Sequence, residues 1–534
     1  MFNLKKSSAD KVILMSIDNL RYDCVGYQPD KKELDKYNVK SLLETPILDR
    51  LSEKALCFTQ CISTNTYTTS AHASVFTGLY PPHHGVRAFF DTKLNKDVKT
   101  LAEIFKENGY TTVFATDVMA LFKPLDLTRG FDYLFERNDK GLLKLLEQKK
   151  KENIFLFVHF FDVHEPYLFS ETPPFKDYNN AYFELMEALY KRHGIEIKDR
   201  KPHTLWRDFS NGINRNIEYM ISVYVKGVTK FDNGRFKIFI EALEKINFFN
   251  RSLTLIFSDH GEGKCEQNNK NIFSHGGDLY DNVLRVPLFI LHKDVKPALD
   301  NRLLSICDIF EFVLEYAGIN FEPAYTLDAV PTDKHRKEVF SEKWTPNKNA
   351  DISEDEYGNP LIAHQFIRDN EWLLSQRSIR TNDAKFVVRG KQEDLADLND
   401  KNLDDEQFIK TLYRKVLGRW EDAKGLEYHV MTLKNKLTDR RHKLIEFLSS
   451  EEVKSNPNFF SFDLGTDSYE EIPISAASDV TTLKDFQEIM SSLLEIENSS
   501  AVGERIFQEG QTVTGKIDEE KVKIVKKLKE LGYF

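Results

Sequence analysis

The chain has 534 residues, 41% of them hydrophobic and 12% aromatic, which is enough to bury a substantial core and to form two or three domains. Its formal net charge is −10, with acidic and basic residues mixed along most of the sequence, so nucleic-acid binding through a basic surface is disfavoured. Five cysteines (Cys24, Cys57, Cys61, Cys265 and Cys307) lack any framework spacing, which argues against a disulfide-stapled secreted protein.

Residues 1–6 lead through polar positions straight into Lys11-Val12-Ile13-Leu14-Met15, too short an apolar run for a signal peptide and better read as a first strand. Nowhere does an apolar run reach the length of about 18 residues that a membrane span needs, and the expected location is the cytoplasm. Further buried strands are predicted at 111–115, 154–160, 253–257 and 288–291, with helical patterns at 99–108 and 233–245 between them. This alternation predicts an α/β fold with a largely parallel central sheet flanked by helices. Ligands in such sheets collect at the carboxyl ends of strands.

Four separated stretches carry candidate chemistry. They are Met15-Ser16-Ile17-Asp18-Asn19, Thr66-Tyr67-Thr68-Thr69-Ser70-Ala71-His72-Ala73-Ser74, Phe257-Ser258-Asp259-His260-Gly261-Glu262, and Ser274-His275-Gly276-Gly277. Together they supply carboxylates, imidazoles and a hydroxyl, a donor set suited to a divalent cation that activates an oxygen nucleophile. Asp18 and Asp259-His260 directly follow apolar runs, where the carboxyl-end rule puts a site. Each has a plainer reading: an Asp after a strand can cap the next helix, and Thr68 and Thr69 can be loop hydroxyls.

The order and context of these stretches resemble the alkaline phosphatase superfamily and, within it, the sulfatase-like branch. Ala71-His72-Ala73-Ser74-Val75-Phe76-Thr77-Gly78-Leu79-Tyr80-Pro81, followed by His84-Gly85-Val86, is similar to the sulfatase signature whose first residue, Cys or Ser, becomes a formylglycine nucleophile. That place falls on Thr68, with Ser70 at the signature proline and His72 at its arginine. Threonine cannot be converted to formylglycine. The remaining pattern, Asp18, Thr68, Asp259 and His260, resembles the single-metal site of phosphoethanolamine transferases and lipoteichoic acid synthases. The resemblance implies that these four residues bind one Zn or Mn ion and that Thr68 attacks phosphorus. Asn19 stands where many sulfatases carry a second aspartate, which favours one metal and weakens a calcium reading.

The same resemblance implies substrate-facing roles for His164, in His159-Phe160-Phe161-Asp162-Val163-His164-Glu165-Pro166-Tyr167, and for His275. His72 is expected to bind an anionic oxygen, Glu262 to stand behind the ligands, and His159 to be a satisfied core residue. Residues 404–452 resemble the small helical DUF4214 module, so the expected organisation is a catalytic domain at 1–400, the module at 401–456, and a return of sulfatase-like sequence at 457–534. The implied activity is a metal-dependent phosphoester hydrolase or phosphoryl transferase using a phosphothreonine, on a small-molecule or glycan substrate. Sulfate-ester hydrolysis and a non-catalytic scaffold are the alternatives. The module is expected to serve a protein or glycan partner, and self-association stays open.

Overall fold

The computed structural model describes residues 10–87, 93–164, 167, 217–263, 275, 279–331, 334–343, 375–390, 403–413, 421–440, 443, 446–447, 459–463 and 474–475. Eight strands form the main sheet: β1 (Lys11–Ile17), β2 (Leu56–Ile62), β3 (Thr111–Thr116), β4 (Tyr133–Glu136), β5 (Ile154–Phe160), β6 (Ser252–Phe257), β7 (Arg285–Leu291) and β8 (Ala298–Ser305). Their spatial order is β4-β3-β5-β1-β6-β7-β2-β8. β4, β3, β5, β1 and β6 run parallel to one another, β7 opposes both β6 and β2, and β2 is parallel to β8. The sheet is thus largely parallel and flanked by helices, as expected.

The central strands are apolar on both faces because both faces are covered. Along β1, Val12 and Leu14 enter one core while Ile13, Met15 and Ile17 enter the other, as the two-residue side-chain period of a strand requires. On the first face pack the helices Thr68–Thr77, Leu101–Glu107 and Ile309–Ala317; on the second, Pro46–Ser52, Asp139–Lys149, Ile217–Phe231 and Lys237–Lys245. Leu101–Glu107 starts where Thr100 and Glu103 exchange side-chain and backbone hydrogen bonds in a capping box. Thr68–Thr77 stops at Gly78, whose φ of 68° is left-handed.

The predicted helix at 233–245 is regular only from Lys237. Before it the chain makes a π-turn over Asp232–Phe236, with Gly234 at φ −103° and ψ −107°. The turn delivers Arg235 to three carboxylates: Nη1 donates to Asp117 and Asp162 at 2.6 and 2.7 Å, while Nε donates to Asp139 at 2.9 Å. Asp117 and Asp162 follow β3 and β5, so one guanidinium ties two strand ends together.

A second, antiparallel sheet has the order β13-β12-β11-β10-β9, from Val339–Lys343 (β9), Ser375–Arg380 (β10), Ala384–Gly390 (β11), Phe459–Asp463 (β12) and Ile474–Ser475 (β13). β11 and β12 pair directly although about 70 residues separate them, and the helices Asp405–Thr411 and Ala423–Lys434 lie in that interval. Leu464, Asp467 and residues 531–533, read from sequence as a returning tail, lie outside the described residues. Cys24, Cys57, Cys61 and Cys307 are buried free thiols. No helix among the described residues is long and apolar enough to cross a membrane.

Candidate active site and metal centre

Adjacency of β5, β1 and β6 brings three sequence-distant segments to one edge of the sheet, the carboxyl end of the parallel strands. Asp18 leaves β1, Asp259 and His260 leave β6, and His159 closes β5. Thr68 arrives from elsewhere: after β2 the chain crosses residues 63–67 and starts a helix whose first residue is Thr68. All ten residues of that helix are buried, so it runs into the core with its positive N-terminal end at the cluster. The crossing segment is held by Ser63, whose Oγ donates to Asp259 O at 2.5 Å and whose amide donates to Leu284 O at 2.6 Å.

The four predicted ligands converge. Thr68 Oγ1 lies 3.4 Å from Asp18 Oδ2 and 3.3 Å from His260 Nε2. His260 Nε2 is 3.5 Å from Asp259 Oδ2 and 3.9 Å from Asp18 Oδ1. His260 Nδ1 is 3.0 Å from Gly261 O. A carbonyl only accepts, so Nδ1 carries the proton and Nε2 presents its lone pair to the cluster.

Asp18 Oδ1 and Asp259 Oδ2 are buried with no hydrogen-bond partner among the described residues. Two buried carboxylates so close repel each other: burial and the Asp259 charge push the Asp18 carboxyl well above its ordinary range. Orphaned oxygens, one available imidazole lone pair and uncompensated negative charge together are what a divalent cation satisfies. Ligand atoms of Asp18, Asp259 and His260 lie within 4.8 Å of one another, and the donor set fits a metal.

Behind the ligands, Asn19 adopts φ 66°, which lets its amide donate to Asp259 Oδ1 at 3.2 Å and its Nδ2 to Glu262 Oε2 at 2.5 Å. The same Glu262 oxygen accepts from Tyr167 Oη at 2.9 Å. Glu262 therefore braces the loop that holds Asp259.

The other predicted histidines fall in two places. The His275 ring stacks on His260 with centroids 4.4 Å apart, and His164 meets His275 edge-on at 5.1 Å, so both stand beside the ligands. Ser274, Gly276 and Gly277 lie outside the described residues. His72 is deeper. Its Nδ1 is 2.7 Å from Thr68 O and its Nε2 2.8 Å from Ser16 Oγ, which engages both ring nitrogens within the protein. Burial among Phe122, Phe157 and His159 lowers its pKa to about 3, leaving a neutral ring that anchors the first turn of the Thr68 helix.

His159 is buried as a core residue would be, but Nε2 approaches Asp18 Oδ2 to 3.2 Å. Sequence reasoning missed that proximity. The signal was a lone polar residue near the carboxyl end of an apolar strand, and what hid it was register: His159 aligns with Ser16 on β1, two residues before Asp18.

With this fold, the family match makes the chain a hydrolase of the alkaline phosphatase superfamily, whose members depend on bound metal. A sulfatase family model matches residues 11–319, and the chain belongs to the sulfatase family. The DUF4214 family model, a domain of unknown function, matches residues 393–456. An endo-4-O-sulfatase of Bacteroides thetaiotaomicron is 20% identical over 385 residues, covering 60% of this chain and 70% of that protein. Among solved structures, a 2-O GAG sulfatase superposes with TM-score 0.54 at 14% identity, covering 92% of each chain. A phosphonate monoester hydrolase of Agrobacterium radiobacter gives TM-score 0.53 at 16% identity, covering 91% of this chain and 95% of its own. At such identities the structural likeness shows the fold. Sulfuric ester hydrolysis is the activity this family membership supports.

Proposed function

We propose that the protein is a metal-dependent phosphoester hydrolase or phosphoryl transferase that works through a covalent phosphothreonine on Thr68, with Zn or Mn held by Asp18, Thr68, Asp259 and His260. The observation that carries this reading is the Thr68 hydroxyl, set at 3.4 Å from Asp18 and 3.3 Å from His260 where the sulfatase signature has a residue convertible to formylglycine. When bound, the cation lowers the pKa of the hydroxyl and draws charge from a non-bridging substrate oxygen. With the His260 Nε2 lone pair kept for the cation, Asp18 Oδ2 at 3.4 Å is the acceptor for the Thr68 proton. Thr68 Oγ1 forms a bond to phosphorus as the ester P–O bond breaks, and His164 or His275 protonates the departing oxygen. Water or an acceptor hydroxyl then attacks phosphorus and releases Thr68.

Sulfate-ester hydrolysis is the second reading, favoured by the sulfatase family match and by the matched sulfatases. Against it, threonine has no hemiacetal through which to shed sulfate. The glycan-active relatives make a glycan or its precursor the proposed substrate class. A cytoplasmic location, and a DUF4214 module lying between β11 and β12 as a partner-binding insertion, complete the proposal.

The test is a screen of nitrophenyl phosphate monoesters, diesters, phosphonates and sulfates on metal-analysed protein, with rapid quench and intact mass. Faster phosphate turnover and a phosphorylated Thr68 are expected. A clear preference for aryl sulfate with no adduct on any residue refutes the phosphothreonine reading.

A further inference from the structure

His159 has no part in the chemistry proposed above, yet it is fully buried beside a carboxylate that faces the metal position. Its Nδ1 lies 3.0 Å from Thr116 Oγ1, and that hydroxyl oxygen already accepts from the Val118 amide at 3.1 Å, which frees its hydrogen for Nδ1. Nε2 has no hydrogen-bond partner among the described residues, and the atom it faces is Asp18 Oδ2 at 3.2 Å. Two lone pairs at that separation repel, so the proton belongs on Nε2, where N–H and carboxylate attract across a dry interior. The approach lies off the N–H axis. This is an electrostatic contact between an N–H and a carboxylate oxygen. Asp18 Oδ2 also receives the Thr68 hydroxyl, whereas Oδ1 is the orphaned oxygen.

We propose that His159 is a positioning residue of the metal centre: Thr116 fixes its ring, and its Nε2–H holds Asp18 Oδ2 so that Oδ1 stays turned toward the cation. A metal-ligating carboxylate braced in this way binds more tightly, and removing such a brace costs about 10–100-fold in metal affinity. The inference rests on the metal reading of the site. The two are tested together by zinc titration against a chromophoric chelator, on full-length wild type and on His159→Gln, His159→Leu, Thr116→Val and Asp18→Ala.

Gln places an amide nitrogen near the position of Nε2, so His159→Gln should hold zinc within a few-fold of wild type. His159→Leu should weaken zinc about 10–100-fold, and Thr116→Val, which removes only the anchoring hydroxyl, should weaken it in the same direction. Thermal unfolding in excess chelator checks that each apoprotein is folded. Should His159→Leu fail that check, the decision falls to Thr116→Val. Wild-type zinc affinity in Thr116→Val and in every folded His159 variant, with loss in Asp18→Ala, overturns the positioning role and leaves the metal reading standing. If wild type itself binds no stoichiometric zinc or manganese, both fall.

Discussion

Replacing Asp281 by Asn should cost the protein a large part of its stability and loosen the metal loop. Asp281 lies in a helical turn, Asp281–Leu284, between the two sheets. Its carboxylate accepts from Arg380 Nε and Nη2 at 3.2 and 2.8 Å and from Lys385 Nζ at 2.6 Å, and all three residues are buried. Without that charge, Arg380 keeps the neutral oxygens of Gln60 and Thr381, each at 3.1 Å, Lys385 keeps Leu279 O at 2.9 Å, and the new amide offers a neutral oxygen in place of the carboxylate. Two buried cations then lose the carboxylate they share, for which about 3–5 kcal/mol is the expected loss.

The effect should reach the site, because Val283 O and Asn282 O accept from the amides of Gly261 and Glu262 at 2.6 and 3.1 Å. Urea unfolding of wild type and Asp281→Asn at several pH values measures it. Although burial opposes ionisation, Arg380 and Lys385 hold the Asp281 carboxyl well below its usual range. A depressed folded pKa contributes stability that is fully present above the unfolded value of about 4 and is lost as pH falls through the folded value. The difference between the two proteins should therefore be constant above about pH 5 and narrow below about pH 4. A loss under about 1 kcal/mol, the range of an exposed pair, or a difference that ignores acid, would refute the reasoning.

Thr68→Ala should abolish turnover on the best substrate while retaining fold and most metal, and Thr69→Ala should do far less; equal activity in both, read by steady-state kinetics, removes Thr68 as nucleophile. Gly261→Ala should lose metal, because a Cβ there lands on the Asn282 carbonyl oxygen and the Asp259–Glu262 loop must move; metal content per chain after gel filtration is the readout. Gly78→Ala should destabilise by about 1–3 kcal/mol through its left-handed φ and contact with the Phe310 ring, without changing metal stoichiometry, as denaturation and metal analysis together can tell. Dialysis against chelator should abolish ester hydrolysis, and Zn or Mn should restore it; full activity in metal-stripped protein contradicts the proposed centre.

The continuous apolar runs at 12–15, 154–160 and 253–257 were enough to predict strands buried on both faces, and with them a largely parallel sheet, because a strand so apolar needs cover on both sides. Asp18 and Asp259 were legible for the same local reason: each ends such a run. Thr68 was legible only through the resemblance of Ala73, Ser74, Thr77 and Gly78 to the sulfatase signature, which puts the nucleophile's place at that distance. β2, with Thr59 and Gln60 inside Leu56–Ile62, carries no clean period, and the strands of the second sheet were not predicted.

What tertiary structure alone decided is which polar residues meet. His159 neighbours Asp18 only through the β1–β5 register, and His72 has both nitrogens engaged only because Ser16 lies across from it. Asp281 meets Arg380 and Lys385, about 100 residues away, only after two sheets have packed. Local sequence sets backbone conformation and the side of each chain that must leave water. Contacts between buried polar groups depend on strand order and register, which no single segment contains.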